Sequence, residues 1–320
     1  MGPMPKKKSL TLQRVLVLLL AYIMLAVCGG VAASVLFVPG VIGANKAAKA
    51  VIPSLKVENV DFDVTSLPQK STMYARDGST VIATFYNQNR IVVPLKKISK
   101  TMQQAVVARE DRRFWTHAGV DVQGVMRAFV QTYLVKGSQQ GGSSLTQQYV
   151  KNVLLMQAIE DDDSIAQYHA TEDTIARKIR EMLISVQMEK KYSKAEILQG
   201  YLNIAQFGNN LYGVETAAQR YFSVSAADLN VVQSATIAAI TKNPSLYDPL
   251  VEENQKESEN QRNIVLKLML QEGYITQDQY TEAVNTPLKD TLKVQDVNVG
   301  CQDTGDYAYF CDFVEIGRAS

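Results

Sequence analysis

Histidine and cysteine are scarce in this chain, with two His and three Cys in 320 residues. That excludes a zinc-finger array and a disulfide-stapled mini-protein, both of which need many such residues. An excess of either charge is missing too. Lys plus Arg is 33, Asp plus Glu is 32, and the net charge is +1. A general nucleic-acid binder would be basic overall, so no nucleic-acid partner is expected. Nor is the chain depleted in apolar residues: 46% is hydrophobic and 20% charged, which excludes wholesale disorder. At roughly 150 residues per domain the length is compatible with about two domains.

Charge is absent altogether from Val15 to Asn45, a run of 31 residues. Its apolar part, residues 15–39, is long enough to cross a bilayer as a helix, which takes about 20 apolar residues. The preceding residues 1–14 carry Lys6, Lys7, Lys8 and Arg14 and no acid. Such a basic flank places the N-terminus in the cytoplasm and the rest outside. The expectation is a single-pass anchor in the cell membrane with an extracytoplasmic working part. The rival is a cleaved signal peptide, whose apolar core is shorter, with Ala32, Ala33 and Ser34 as the cleavage-like residues. Either way, reactions that draw on cytosolic ATP or NADH are disfavoured. Cys28, inside the run, reads as a small apolar residue. Outside the membrane a disulfide is permitted, and Cys301 with Cys311 is the pair expected to form one; two free thiols are the alternative.

After a connector over 40–70, two β-prone segments at 71–75 and 80–86 flank Arg76-Asp77-Gly78-Ser79, a hairpin turn signal. From about 101 to 285 apolar residues recur at helical spacing, as in Ile175, Ile179, Met182 and Val186. The Gly/Ser cluster at 137–144 reads as a loop opening a helix at Leu145. Asp161-Asp162-Asp163 reads as a solvated loop, since a calcium loop needs more ligands at set offsets. Beyond Pro287 the helical pattern stops, and 288–320 is expected to be irregular or β.

Four segments carry chemistry. In the first, Glu110-Asp111 follows the apolar Ala105-Val106-Val107-Ala108. A carboxylate at the end of a buried segment suits a general base; a salt-bridged helix terminus is the equal alternative. In the second, Gly141-Gly142-Ser143-Ser144 precedes a helix bearing Gln147, Gln148 and Lys151. Glycines before a helix N-terminus let backbone N–H groups approach an anion. No Gly-Lys-Ser/Thr ending follows, so this is not a Walker loop, and an ordinary flexible loop fits equally. In the third, Arg177, Lys178 and Glu181 share one side of a helix. Ile184 and Met188 extend that side, so the helix is expected to be apolar nearly all round and buried. A buried Glu needs a partner or a function. The fourth, Lys194 to Asn203 with Tyr201, reads alone as an amphipathic helix.

In order and spacing the four segments resemble the family 51 glycosyltransferases, the peptidoglycan polymerase domains of class A penicillin-binding proteins and their monofunctional relatives. The family's Glu-Asp-x-x-Phe-x-x-His-x-Gly-x-Asp stands complete at Glu110, Asp111, Phe114, His117, Gly119 and Asp121. Gly-Gly-Ser-Thr-x-Thr-Gln-Gln is matched from Gly141 to Gln148 with Ser144 in place of Thr. Arg-Lys-x-x-Glu is Arg177, Lys178 and Glu181, and Lys-x-x-Ile-Leu-x-x-Tyr-Leu-Asn is Lys194 through Asn203. A looser fifth motif spans Ala235 to Ser245, where Thr241 and Lys242 replace more usual residues, a minor variation. The resemblance covers roughly residues 71–285.

It implies a mainly α, lysozyme-like glycosyltransferase domain after a β-hairpin and an N-terminal transmembrane helix. Its substrates are lipid II and a nascent lipid-linked glycan at the bilayer, with other cell-wall synthases as partners. The 4-hydroxyl of the acceptor GlcNAc attacks C1 of the donor MurNAc with inversion and expels undecaprenyl pyrophosphate. Glu110 is the implied base. Glu181 is the second catalytic carboxylate, holding Mg²⁺ or Mn²⁺ or positioning the cations around the pyrophosphate. Asp111, Gly142, Ser143, Thr146, Gln147, Gln148, Lys151, Arg177, Lys178, Lys194, Tyr201 and Asn203 are implied in substrate binding. The tail, 286–320, looks like a stub towards a transpeptidase domain; neither Ser-x-x-Lys nor Lys-Thr-Gly occurs in these 320 residues. A lysozyme-like glycan-cleaving enzyme and a non-catalytic membrane scaffold are the alternatives. Phe114, Trp115, Val122, Val125 and Met126 are expected either to face the bilayer or to fill the core.

Overall fold

The computed structural model describes residues 67–86, 88–129, 142–295, 299–301 and 304–319. The apolar run at 15–39 and the loop at 137–141 lie outside them. Among the described residues no helix is long and apolar enough to cross a membrane.

The domain begins with the expected hairpin. Strands β1 (Ser71–Tyr74) and β2 (Val81–Phe85) pair antiparallel, Ser71 opposite Phe85 and Met73 opposite Ala83. The turn is held by Asp77, whose carboxylate accepts the N–H groups of Ser79 and Thr80 and the Thr80 hydroxyl. A second small sheet sets β3 (Asn89–Arg90) parallel to β5 (Leu211–Tyr212), which also pairs antiparallel with β4 (Gln206–Gly208).

The rest is mainly helical: α1 (Lys100–Glu110), α2 (Val122–Phe129), α3 (Leu145–Glu160), α4 (Ser164–Thr171), α5 (Ile175–Lys191), α6 (Lys194–Ile204), α7 (Val214–Phe222), α8 (Val231–Ile240), α9 (Gln255–Gln271), α10 (Gln277–Asn285), a single turn α11 (Leu288–Thr291) and α12 (Ala308–Ala319). Their starts are written in the sequence. Ser144, Ser193, Asn230 and Thr276 each close a capping box with the residue three on, satisfying N–H groups that a helix start leaves open.

Two helical groups meet. In one, α1, α8 and α9 pack together. Ala105–Ala108 of α1 and Ser234–Ile240 of α8 are all buried, and their many small side chains let the helix axes come close. In the other, α3 packs against α4, α5 and α6. Gly200 of α6 lies where any Cβ would stand 2.3 Å from the Tyr149 side chain of α3, so only glycine permits this approach. The last residue of α1, Glu110, sits at the junction of the two groups.

Two expectations are corrected. Helix α5 is not apolar all round: Ile175 is 79% exposed, and the buried stripe is Arg177, Glu181, Ile184, Ser185 and Met188. The tail is not irregular or β, because α12 covers Ala308–Ala319. The sulfurs of Cys301 and Cys311 are bonded. They pack in a small core with Ile82 and Ala83, tying the start of α12 to the hairpin.

Candidate active site

Glu110 is the half-buried carboxylate that ends α1. Both its oxygens are held. Oε2 accepts from Gln148 Nε2 of α3 at 2.6 Å, and Oε1 accepts from Thr241 Oγ1, just past α8, at 2.6 Å. Gln148 is itself oriented, its amide oxygen accepting from Tyr201 Oη of α6 at 3.3 Å. Burial, and then the charge of Glu110, push the Tyr201 phenol well above its usual range, so it stays a donor at ordinary pH. Three elements thus fix the direction of one carboxylate.

A second centre lies on α5. Glu181 is buried, and its Oε1 pairs with Arg177 one turn back while Oε2 accepts from Lys178 Nζ at 3.2 Å. Lys178 Nζ also donates to Ser143 Oγ at 2.9 Å, which binds α5 to the residues leading into α3. Lys151 of α3 joins this centre. Its ammonium is held below the usual lysine range first by burial, then by the charge of Arg177, with Glu181 acting in the opposite sense. Three cations stand around one buried carboxylate, with the exposed Asp173 also 3.9 Å from Arg177, so cations outnumber acids here. Gln148 and Lys151 are three residues apart on one face of α3, a separation of about 4.5 Å along the axis. One face of α3 therefore links Glu110, through Gln148, to the cation centre, through Lys151.

Many motif residues build this face rather than form it. Asp111 is buried and accepts the N–H of Leu145, first in α3, at 2.9 Å, and lies 2.7 Å from His117 Nε2. A carboxylate at the positive end of α3 is well placed electrostatically. Gly119 has φ +88° and lies so close to the Ser185 carbonyl that a Cβ would fall 2.6 Å from it. Its own carbonyl accepts from Ser144 Oγ at 2.6 Å. Asp121 pairs with Arg113, which holds its carboxyl below the usual range against the opposing effect of burial. Gln147 Oε1 accepts from the Ser144 N–H in the α3 capping box, while its buried Nε2 has no hydrogen-bond partner among the described residues. Thr146 Oγ1 donates to Glu189 Oε1 at 2.6 Å. Asn203 is buried and bonded to the backbone of Val93 and Gln199. Lys194 stands apart from the α5 cations: it pairs with Glu189 at 2.7 Å and lies 4.5 Å from the Phe114 ring centroid. Gly142 and Ser143 form the extended approach to α3.

The donor set does not fit a divalent ion at Glu181. Both its oxygens face cations, and an ion bound there would have to displace Lys178. Among the described residues the one grouping of possible ligands is Cys301, Asp312 and Glu315, where the sulfur is already in the disulfide. A cavity of about 510 Å³ lies between the hairpin, β3 and α7, lined by Lys70, Arg90, Thr216 and Arg220 among others. It shares no residue with either centre just described.

A carboxylate held on both oxygens beside a cation cluster is the arrangement that proton transfer at one end and anion binding at the other require. The chain belongs to the transglycosylase family, whose model matches residues 78–270. It is 39% identical over 221 residues to penicillin-binding protein 1A of Aquifex aeolicus, which covers 69% of this chain and 28% of that protein. Penicillin-binding protein 4 of Bacillus subtilis is 39% identical over 233 residues, 72% of this chain and 35% of its own length. Penicillin-binding protein 1A/1B of the same organism is 33% identical over 281 residues, 88% of this chain and 29% of its own length. The chain spans about a third of the length of these relatives.

Proposed function

We propose that the chain is a peptidoglycan glycosyltransferase that polymerises lipid II into β-1,4-linked glycan on a lysozyme-like helical domain. The observation that carries this is the pairing of Glu110, held on both oxygens, with the Lys151, Arg177 and Lys178 cluster. Glu110 takes the proton of the acceptor 4-hydroxyl as that oxygen bonds to C1 of the donor. The C1–oxygen bond breaks on the opposite side, with inversion, and the departing undecaprenyl pyrophosphate is stabilised by the three cations. Glu181 serves by holding Arg177 and Lys178 in place. No step here uses Mg²⁺ or Mn²⁺ at Glu181, because both its oxygens already face cations; a fall in rate after chelation would show that an ion acts elsewhere in the reaction.

A glycosidase also uses two carboxylates flanking the bond it breaks. Here the second carboxylate is sealed between two cations, which favours transfer from a pyrophosphate donor over hydrolysis. The lipid substrates call for work at the bilayer, and the anchor expected at residues 15–39 places the domain on its outer side. Exposed Trp115, Val122 and Met126 support contact with lipid, whereas Phe114 is fully buried.

The test is polymerisation of lipid II by the full chain in detergent, wild type against Glu110→Gln. The wild type makes glycan strands and the variant makes none while still binding lipid II. Normal polymerisation by the variant removes Glu110 as the base. Lipid II binding without polymerisation by either protein favours the scaffold reading.

A further inference from the structure

Thr241 stands at the C-terminal end of α8, half-buried, and no other part of the proposed mechanism uses it. Its hydroxyl oxygen lies 2.6 Å from Glu110 Oε1 and 2.8 Å from the carbonyl oxygen of Ala238. Both are acceptors, and a hydroxyl has one hydrogen to give. The two geometries therefore describe two settings of one rotor.

We propose that Thr241 is a positioning residue that holds Glu110 in both of its protonation states, by turning its hydrogen between Glu110 Oε1 and the Ala238 carbonyl. The inference rests on Glu110 being the base.

The two oxygens of Glu110 are not equivalent in this respect. Gln148 Nε2, at Oε2, is a donor only and suits the carboxylate. Once Glu110 has taken a proton it has a hydrogen of its own to place, and an amide nitrogen cannot accept it. The Thr241 oxygen can, provided its own hydrogen has somewhere else to go, and the Ala238 carbonyl supplies that place. Once the acceptor hydroxyl has passed its proton to Oε1, the new carboxylic O–H swings about its C–O bond towards Thr241, whose own O–H turns to Ala238 so that its oxygen can accept. No proton is gained or lost by Thr241, and each state of Glu110 keeps a full set of partners. The proton leaves Glu110 for solvent after product moves on, and the rotor returns. A valine is close to threonine in shape and has no hydroxyl, so it removes the rotor.

The experiment measures kcat and KM for lipid II polymerisation with the full chain carrying Thr241→Val, Thr241→Ser and Glu110→Gln. Loss of a hydrogen bond to a charged group corresponds to about a 10- to 100-fold fall in kcat. That fall is expected for Thr241→Val, with KM within about twofold and an unchanged thermal melt. Serine, which keeps the hydroxyl, restores kcat to within a few-fold. Thr241→Ala removes the same hydroxyl and replaces the valine variant if that one does not fold. The inference is overturned if the hydroxyl-free variants keep wild-type kcat, if serine loses as much as valine, or if KM rises while kcat holds. An inactive Glu110→Gln beside a fully active Thr241→Val defeats this inference alone. An active Glu110→Gln defeats the assignment of the base and this inference with it.

Discussion

Gln148 Nε2 donates to Glu110 Oε2 at 2.6 Å across 38 residues of sequence. It is the direct bond between the α3 face that carries Lys151 and the carboxylate that ends α1. Replacing Gln148 with Glu puts a second acid against Glu110, where like charges at contact disfavour ionisation of one of them. The expected outcome is a fall in the rate of lipid II polymerisation of 100-fold or more, by order of magnitude. Tyr201→Phe removes only the longer 3.3 Å bond that orients Gln148, and about a tenfold loss or less is expected. Steady-state kinetics on both variants check the order.

Asp111 is expected to matter for stability more than for chemistry. Its buried carboxylate satisfies the first N–H of α3 and faces His117. Asp111→Ala leaves both donors buried and without a partner, a loss of about 2–4 kcal/mol. Asp111→Asn, which keeps one acceptor, loses less. Urea denaturation of the two variants measures this, and a midpoint unchanged in Asp111→Ala defeats it.

On the proposed mechanism, Lys151 is expected to set the alkaline limit of activity. Burial and the neighbouring Arg177 hold its pKa below the free value of 10.5. In the folded chain it therefore loses its proton at lower pH than in the unfolded chain. The charged form is disfavoured in the fold, and this destabilisation is relieved as pH rises from the folded value towards 10.5. Activity moves oppositely, because the neutral amine no longer supports a departing pyrophosphate. Lys151→Arg keeps its charge throughout this range, so the alkaline fall in its pH–rate profile shifts upward. An unshifted fall rules out Lys151 as its source.

Opening the Cys301–Cys311 bond is expected to release α12 and spare catalysis. The bridge closes a loop with a sequence separation of 10, for which chain entropy gives about 2–3 kcal/mol. It packs on Ile82 and Ala83 of the hairpin, apart from the partners of Glu110. In the double serine variant, amides of Ala308–Val314 should lose protection from hydrogen exchange while kcat stays within about twofold. A large drop in kcat contradicts the separation of the two regions.

Much of the fold was legible locally. Asp77-Gly78 marked the hairpin turn, the Gly/Ser cluster marked the helix start at Leu145, and Glu110 followed an apolar run. The tail misled because its clustered aromatics resemble a strand. The inward series of buried Thr304 and Cys311 with semi-buried Ala308 and Val314 in fact steps by four, three and three, the period of a helix, but the outward Tyr309 and Phe313 hide it. Helix α5 misled for the opposite reason. Its apolar Ile175 faces water, while charged Arg177 and Glu181 turn inward because they satisfy each other.

The sequence by itself determined which residue types stand at which spacing: a carboxylate after a buried run, amides and a lysine opening one helix, cations and an acid on another. Helical geometry is local, so face and spacing follow from the 3.6-residue period. Only the tertiary structure showed which partners these motif side chains bond across the fold. Asp111, Gln147, Asn203 and Lys194 read like ligand-binding groups, yet they bond to Leu145, Ser144, Val93 and Glu189. Thr241 looked like a minor variation and lies on Glu110 itself. The bonds Asp111–Leu145, Asn203–Val93 and Thr241–Glu110 join residues 34 to 131 positions apart, and no local period carries information over such separations; the tertiary fold supplies it.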